Sequence, residues 1–278
     1  MEVTRGALDF SGLGIVLEGS SAAEEIAGLC RDWAAYRAPT SVPPFLALRV
    51  LEDRPAGEEG AVAPKGMSLS FDGTSATYST SRGTCRVETD GHATVHLAPG
   101  TEAVRRFALQ NLVRAAIAFL LPSRNGAAIH AAGIVLDGRG FLLPGASGAG
   151  KSTAAALAES RGALVVSDDL VLVDGASGTA DLLGSPFRST HPSACPRGRW
   201  PLAGILLPEK GTTPSLRPAT RLAVKARLLS NLTFVADLVA DDPRVVAVVN
   251  RLAAEVPSAV LTFAREPSFV DLLKGFAR

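Results

Sequence analysis

The segment LLPGASGAGKST, residues 142–153, constrains the fold more than any other part of this 278-residue chain. Gly145, Gly150, Lys151 and Ser152 match the pattern GxxxxGK[ST] of a phosphate-binding loop. Glycines let backbone amides turn toward phosphate oxygens, and the helix that follows points its N-terminus at the anion. An apolar strand pattern precedes the segment and an alanine-rich helical pattern follows it. The segment therefore predicts an α/β fold that binds a nucleotide phosphate.

The predicted loop supplies its ligands from backbone and side chain alike. Lys151 is expected to neutralise the β and γ oxygens of a nucleotide, and the hydroxyl of Ser152 to complete the shell of a Mg²⁺ ion. The predicted nucleotide-binding residues are Gly145, Ala146, Ser147, Gly148, Ala149, Gly150, Lys151, Ser152 and Thr153.

Two adjacent carboxylates, Asp168 and Asp169, follow the apolar pattern ALVVS. Asp168 lies 17 residues after Lys151, a distance that a short helix, a turn and a strand would use up. A right-handed βαβ unit would then return this strand beside the one that precedes the loop, with both C-terminal ends at one edge. One carboxylate would help to hold Mg²⁺, and the other would accept a proton from an attacking hydroxyl.

Two further side chains are candidates for the same site. His130 lies in AIHAAGIVLDGRGFLLPG, which predicts two strands joined at DGRG. In an antiparallel pair His130 would lie across from residues 143–145, near the γ-phosphate, although a histidine on a strand is as often structural. Arg188 would bring a cation to the phosphates, with a solvated surface charge as the alternative.

Several classes of protein are disfavoured by what the sequence lacks. It contains neither the Asn-Lys-x-Asp motif of GTPases nor the LSGGQ motif of transport ATPases, which shifts the balance toward small kinases. A net charge of +1 does not provide the excess positive charge that is typical of proteins that bind nucleic acid or an anionic membrane. The apolar segment VRRFALQNLVRAAIAFLL carries three arginines, so it predicts a buried or amphipathic helix and no membrane span.

Cysteine usage and the N-terminus bear on the compartment. Cys30, Cys85 and Cys195 lie far apart, form no CxxC pair and leave one thiol over from any disulfide. The first residues, MEVTRGALDFSGLG, lack a basic region followed by an apolar run. We therefore expect a reduced, cytoplasmic setting.

Patterning divides the chain into an N-terminal α+β region, residues 1–122, and a phosphate-loop domain, residues 123–278. The first region is expected to contain a strand at LDFSGLGIVLEG, a helix opened by Ser20 or Ser21, and a polar loop at 53–66. A meander of short antiparallel strands and a helix from Thr101, its N-cap, to the residue before Pro122 are expected to follow. The second region is expected to end in helices.

The segments IHAAGIVLDGRGFLLPGASGAGKST and ALVVSDD resemble the catalytic domain of the HPr kinase/phosphorylase family, which is related in fold to the phosphoenolpyruvate carboxykinases. The resemblance covers residues 127–172. It implies ATP as donor, Lys151 on its phosphates and Mg²⁺ as the metal. It further implies Asp168 as the acid/base, Asp169 as a metal support and His130 beside the transferred phosphoryl group.

The sequence also departs from the family. Kinases of this family usually carry Glu where this chain has Thr153, and their arginine-containing segment after the aspartates is replaced here by SPFRSTHPSACPRGRWPLAG. These departures argue against HPr as acceptor and against the reverse phosphorylase reaction.

Smaller relatives of the family occur beside genes for ribosomal peptides, including lasso peptides, and phosphorylate a serine of the precursor. The resemblance therefore implies a kinase for a serine of a peptide or small protein, and a homo-oligomer is one option because HPr kinases assemble into oligomers. A small-molecule hydroxyl kinase, acting for example on free serine, and a nucleotide-binding regulatory protein without phosphoryl transfer remain alternatives.

Overall fold

The chain forms a mixed α/β structure with two sheets. The computed structural model describes residues 3–51, 66–188 and 196–276, within which there are six α-helices. The chain divides into two compact units. Unit 1 contains residues 1–120 and 240–242, and unit 2 contains residues 121–239 and 243–278. All but the last residue of the polar loop expected at 53–66 lies outside the described residues, as does Cys195.

Unit 1 is built on a seven-stranded sheet. Its strands are β1 (Thr4–Asp9), β2 (Gly14–Gly19), β3 (Leu46–Leu51), β4 (Ser68–Phe71), β5 (Ser75–Thr80), β6 (Gly83–Glu88) and β7 (His92–Leu97). They lie in the order β1-β2-β3-β7-β6-β5-β4, and β4 to β7 form the predicted antiparallel meander. LDFSGLGIVLEG was predicted to be a strand with turn glycines, and it forms the end of β1, a turn and all of β2. Ser11 and Gly12 take positive φ angles of 56° and 103° and turn the chain into a hairpin.

Two helices pack on this sheet, α1 (Ala23–Asp32) and α2 (Glu102–Leu120). The cap predicted for α2 is confirmed, since the hydroxyl of Thr101 accepts a hydrogen bond from the amide of Val104 at 3.5 Å. The cap predicted for α1 was wrong: the N-cap residue is Ala22, which offers no side-chain acceptor. None of the helices in the described parts of the chain is long and apolar enough to cross a membrane.

Unit 2 contains the second sheet, of eight strands. They are β8 (Ala127–Leu136), β9 (Arg139–Pro144), β10 (Leu164–Ser167), β11 (Leu170–Asp174), β12 (Asp181–Leu183), β13 (Arg199–Lys210), β14 (Ser215–Pro218) and β15 (Ser258–Phe263). The first half of β8 pairs with β11, and its second half pairs with β9 and β10. The predicted hairpin of β8 and β9 is confirmed, and Asp137 and Gly138 at its turn have the positive φ angles that tight hairpins favour.

The predicted position of the returning strand was wrong. Strand β10 does not lie beside β9, because β8 already occupies that side of β9 as its hairpin partner. Both β9 and β10 run antiparallel to β8, so they are parallel to each other and their C-terminal ends share one edge of the sheet. The C-terminal ends of β9 and β10 therefore meet at one edge as expected, although β10 is not adjacent to β9.

Four helices complete unit 2: α3 (Lys151–Glu159), α4 (Arg221–Leu229), α5 (Pro243–Glu255) and α6 (Phe269–Gly275). The C-terminal region was predicted to be helical and does end in α6, but β15 lies within it and pairs in parallel with β13. A buried apolar cluster holds α3 against the sheet, with Phe141 and Leu143 from β9 and Phe263 from β15 among its members. This cluster fixes both chain segments that flank the glycine-rich loop.

Candidate functional site

The glycine-rich loop joins the end of β9 to the start of α3, as the sequence predicted. Gly148 and Gly150 have φ angles of 77° and 92°, which residues other than glycine rarely adopt. A β-carbon on Gly150 would also lie 3.1 Å from Cζ of Phe263. Gly150 is the N-cap of α3 and no side chain caps this end. The loop therefore presents an open helix N-terminus, the arrangement that binds anions.

Lys151 is held over the loop by the loop itself. Its Nζ donates hydrogen bonds to the carbonyl oxygens of Gly145 at 2.6 Å and Ala146 at 3.0 Å. Burial lowers the pKa of Lys151, Asp169 opposes this effect through its charge, and Arg227 adds to it. A bound phosphate would supply the counter-charge that two neutral carbonyl groups cannot.

A cavity of about 610 Å³ opens beside the loop, within the size range of small-ligand sites. Both predicted aspartates and His130 line it together with the loop. The lining residues are His130, Ser147, Gly148, Gly150, Lys151, Ser152, Thr153, Asp168, Asp169, Lys210, Gly211, Phe263, Ala264 and Arg265.

The two aspartates occupy the turn between β10 and β11. Asp168 is buried, with 3% of its surface exposed, whereas the side chain of Asp169 keeps 29%. The backbone of Asp169 is anchored at both ends: its amide donates to Oγ of Ser167 at 3.1 Å, and its carbonyl accepts from the amide of Ala131 at 3.0 Å. Ser167 in turn donates a short hydrogen bond to the carbonyl of Phe187. The turn is thus tied to β8 and cannot shift independently of the hairpin.

His130 was predicted to lie across from residues 143–145, but the pairing of β8 with β9 begins only at Ala131, whose partner is Pro144. The amide of His130 instead donates to the carbonyl of Asn231 at 2.8 Å, and His130 lines the cavity together with the loop. Its Nδ1 lies 3.1 Å from the carbonyl oxygen of Asp169 and 3.4 Å from Oδ1 of the same residue. Because a carbonyl oxygen can only accept, Nδ1 carries the proton and Nε2 is the ring nitrogen left for other partners.

Not every predicted residue reaches the cavity wall. Gly145, Ala146 and Ala149 belong to the loop but do not line the cavity. Arg188 is exposed and is not among the lining residues either. Its neighbour Phe187 accepts the hydrogen bond from Ser167, so Arg188 follows directly on a residue that supports the aspartate turn.

Several residues at the site were missed by sequence reasoning. Lys210 and Gly211 lie at and just beyond the end of β13, while Phe263 and Arg265 lie at and beyond the end of β15. Both strands run parallel to β9, so their C-terminal ends reach the same edge as the loop. The positions of these residues at strand ends could have indicated the site from sequence. That indication is usable only when the order of the strands in the sheet is known.

No protein-family model matches the chain, and no curated protein matches it. The arrangement of residues around the cavity therefore carries the functional conclusion.

Proposed function

We propose that the chain is a Mg²⁺-dependent kinase that transfers the γ-phosphoryl group of ATP to a hydroxyl, namely a serine of a peptide or small protein. The observation that carries this proposal is that part of the loop lines one cavity together with Lys151, His130, Asp168 and Asp169. A phosphate site alone would fit many functions. The addition of a buried carboxylate and a histidine at the same edge favours transfer to a hydroxyl.

The proposal extends to the finer fold class. Unit 2 would be a phosphate-loop kinase core of the type found in HPr kinases and phosphoenolpyruvate carboxykinases. The hairpin of β8 and β9, the loop directly after it and the aspartate turn at the same edge support this class. The hairpin, the loop and the aspartates occur in the same order in the sequence segments that resemble this family.

In the proposed reaction the acceptor hydroxyl oxygen forms a bond to the γ-phosphorus. The bond between that phosphorus and the oxygen bridging to the β-phosphate breaks, and ADP leaves with the bridging oxygen. Asp168 accepts the hydroxyl proton, and Lys151 binds oxygens of the β- and γ-phosphates. His130 is held by the carbonyl of Asp169, so it would face the transferred group in a fixed ring orientation.

The residues present fit a Mg²⁺ ion. The hydroxyl of Ser152 and the carboxylate of Asp169 line the same cavity and are the hard oxygen ligands that Mg²⁺ prefers. When bound, Mg²⁺ would neutralise charge on the β- and γ-phosphates. Asp169 is the better candidate of the two aspartates for this role because its side chain is the more exposed.

The test is phosphoryl transfer from ATP labelled at the γ position. The protein is incubated with Mg²⁺, labelled ATP and either serine-containing peptides or free serine, and the label in each acceptor is counted. Lys151→Met should abolish transfer, and Lys225→Met, on α4 and outside the cavity lining, should not. Normal turnover by Lys151→Met would overturn the kinase proposal.

Comparing the peptide and free-serine acceptors distinguishes the proposed function from its two alternatives. Label in a peptide supports the proposed acceptor class, whereas label in free serine alone would replace it with a small-molecule kinase. Tight nucleotide binding with no transfer to any acceptor would favour a regulatory nucleotide-binding protein.

A further inference from the structure

A second cation, Arg227, lies at the start of the phosphate loop. It belongs to the last turn of α4, far from the loop in sequence. A β-carbon built on Gly145 would lie only 3.6 Å from Nη1 of Arg227. The guanidinium therefore approaches the loop at the residue whose carbonyl also holds Nζ of Lys151, at 2.6 Å. Two cations meet at one end of the loop.

No anionic partner accounts for this position. Within residues 3–51, 66–188 and 196–276, the guanidinium of Arg227 makes no hydrogen bond or ion pair. Lys151 and Arg227 approach the same loop residue, and in the described parts of the chain no carboxylate pairs with the guanidinium of Arg227. Neighbouring cations repel each other unless an anion joins them. The arrangement is that of an anion site whose ligand comes from outside the chain.

The backbone at Arg227 is fixed to the histidine strand. The side-chain amide of Asn231 donates to the carbonyl of Arg227 at 2.8 Å, and the carbonyl of Asn231 accepts from the amide of His130 at 2.8 Å. Asn231 is buried, with 5% of its surface exposed. Asn231 thus connects the backbone of Arg227 to that of His130.

We propose that Arg227 binds the terminal phosphate of the nucleoside triphosphate and neutralises its charge during transfer. This inference rests on the proposed kinase function. Arg227 and Lys151 both approach Gly145 at the β9 end of the loop, and Asn231 connects Arg227 to His130. The other end of the loop begins α3, whose N-terminus would bind the inner phosphates. A guanidinium presents a planar fork of donors that matches phosphate oxygens.

The test compares a triphosphate with a diphosphate. Binding of AMP-PNP, an ATP analogue with a non-hydrolysable terminal linkage, and of ADP is measured by calorimetry in the presence of Mg²⁺. Arg227→Met should weaken AMP-PNP binding roughly 10- to 100-fold, as expected for lost charge-assisted hydrogen bonds, and change ADP binding less than about twofold. Its kcat for transfer should fall by roughly 1,000-fold.

Three further variants make the result specific. Arg227→Lys keeps the charge but not the fork, so it should recover part of the AMP-PNP affinity. Arg221→Met, an exposed residue on the same helix, should bind both nucleotides as the wild type does. Asn231→Ala should lower kcat with ADP binding unchanged, because it removes the side-chain hydrogen bond to the carbonyl of Arg227 and keeps both the backbone bond to His130 and the loop. Thermal melting of each variant verifies that it is folded.

The failures are distinguishable. If Arg227→Met binds AMP-PNP and ADP as the wild type does, with unchanged kcat, the role of Arg227 is refuted and the kinase proposal stands. Equal weakening for both nucleotides would also overturn it, because Arg227 would then hold an inner phosphate. If the wild type binds neither nucleotide, the proposed function fails and this inference fails with it.

Discussion

The two ends of β11 carry buried aspartates in opposite surroundings. At its end, Asp174 is fully buried and accepts hydrogen bonds from Arg124 at 2.9 and 2.8 Å and from Arg199 at 2.8 Å. Before its start, Asp168 is nearly as buried but faces a cavity beside the phosphate loop. Burial of a carboxylate therefore does not identify a site. What separates the two is that Asp168 lines a cavity, whereas two arginines bind Asp174.

The titration of Asp174 fits a structural role. Burial alone would raise its pKa, but hydrogen bonds and charge from Arg124 and Arg199 outweigh burial and lower it below the usual value. The carboxylate is thus ionised at neutral pH and bound by two guanidinium groups. Removing its charge should affect stability, and removing that of Asp168 should affect chemistry.

The largest expected effect is on catalysis, from Asp168→Asn. We expect kcat for phosphoryl transfer to fall by roughly 1,000-fold, because the amide cannot accept the hydroxyl proton. The melting temperature should stay within about 2 °C of the wild type, since the shape of the side chain is kept. Kinetics and calorimetry on the same preparation measure both. Unchanged turnover together with a large loss of stability would place Asp168 in the same class as Asp174.

The second effect is on stability, from Asp174→Asn. Both arginines would lose an ionised partner, and we expect the free energy of unfolding to fall by about 3 kcal/mol. Urea unfolding measures this change. The folded fraction of the variant should still bind nucleotide with wild-type affinity. A change below about 0.5 kcal/mol, or a specific loss of nucleotide binding, would break the proposed contrast between the two ends of β11.

A third effect follows with pH. The pKa of Asp174 is lower in the folded state than in the unfolded chain, where it is about 4. Its ionisation therefore stabilises the fold fully above about pH 4, and this contribution is lost as pH falls through the lower, folded pKa. The stability difference between wild type and Asp174→Asn should shrink over that acid range. Urea unfolding at a series of pH values from 6 to 2 tests it, and a constant difference would contradict this account.

The smallest effect is expected at Ser167, which supports the aspartate turn. Ser167→Ala removes the acceptor of the Asp169 amide and the donor to the Phe187 carbonyl. We expect a loss of about 1–2 kcal/mol in stability and a several-fold lower kcat, because the turn loses its anchor. Ser160→Ala, at the exposed end of α3, is the matched control. Equal effects of the two variants would mean that Ser167 has no special role in the turn.

Much of this site was predictable from local sequence. The loop pattern, the hairpin at DGRG and the aspartates after an apolar strand each depend on a few consecutive residues. The register that pairs Ala131 with Pro144, next to His130 and the loop, follows from the length of the hairpin turn. Such features depend on the residues of the turns and on the spacing of apolar residues, and both can be read from the sequence.

The rest depended on tertiary order. Arg227 reaches Gly145 from a helix some eighty residues later in the chain, and Arg265 reaches the cavity from the end of β15. Nothing local distinguishes these arginines from Arg188, the one chosen from sequence, and neither Arg188 nor Arg227 lines the cavity. The second neighbour of β9 was mistaken for the same reason, because it is β13, a strand much later in the chain.

The sharing of β8 between partners has a practical consequence for experiments. His130 sits on the half of β8 that pairs with β11, and the other half pairs with the strand leading into the phosphate loop. Denaturant cannot detach one half and leave the other ordered without breaking a continuous strand. Loss of nucleotide binding and loss of β-sheet circular dichroism from unit 2 should then follow the same unfolding curve, so a bound fluorescent nucleotide would report the folding of this unit.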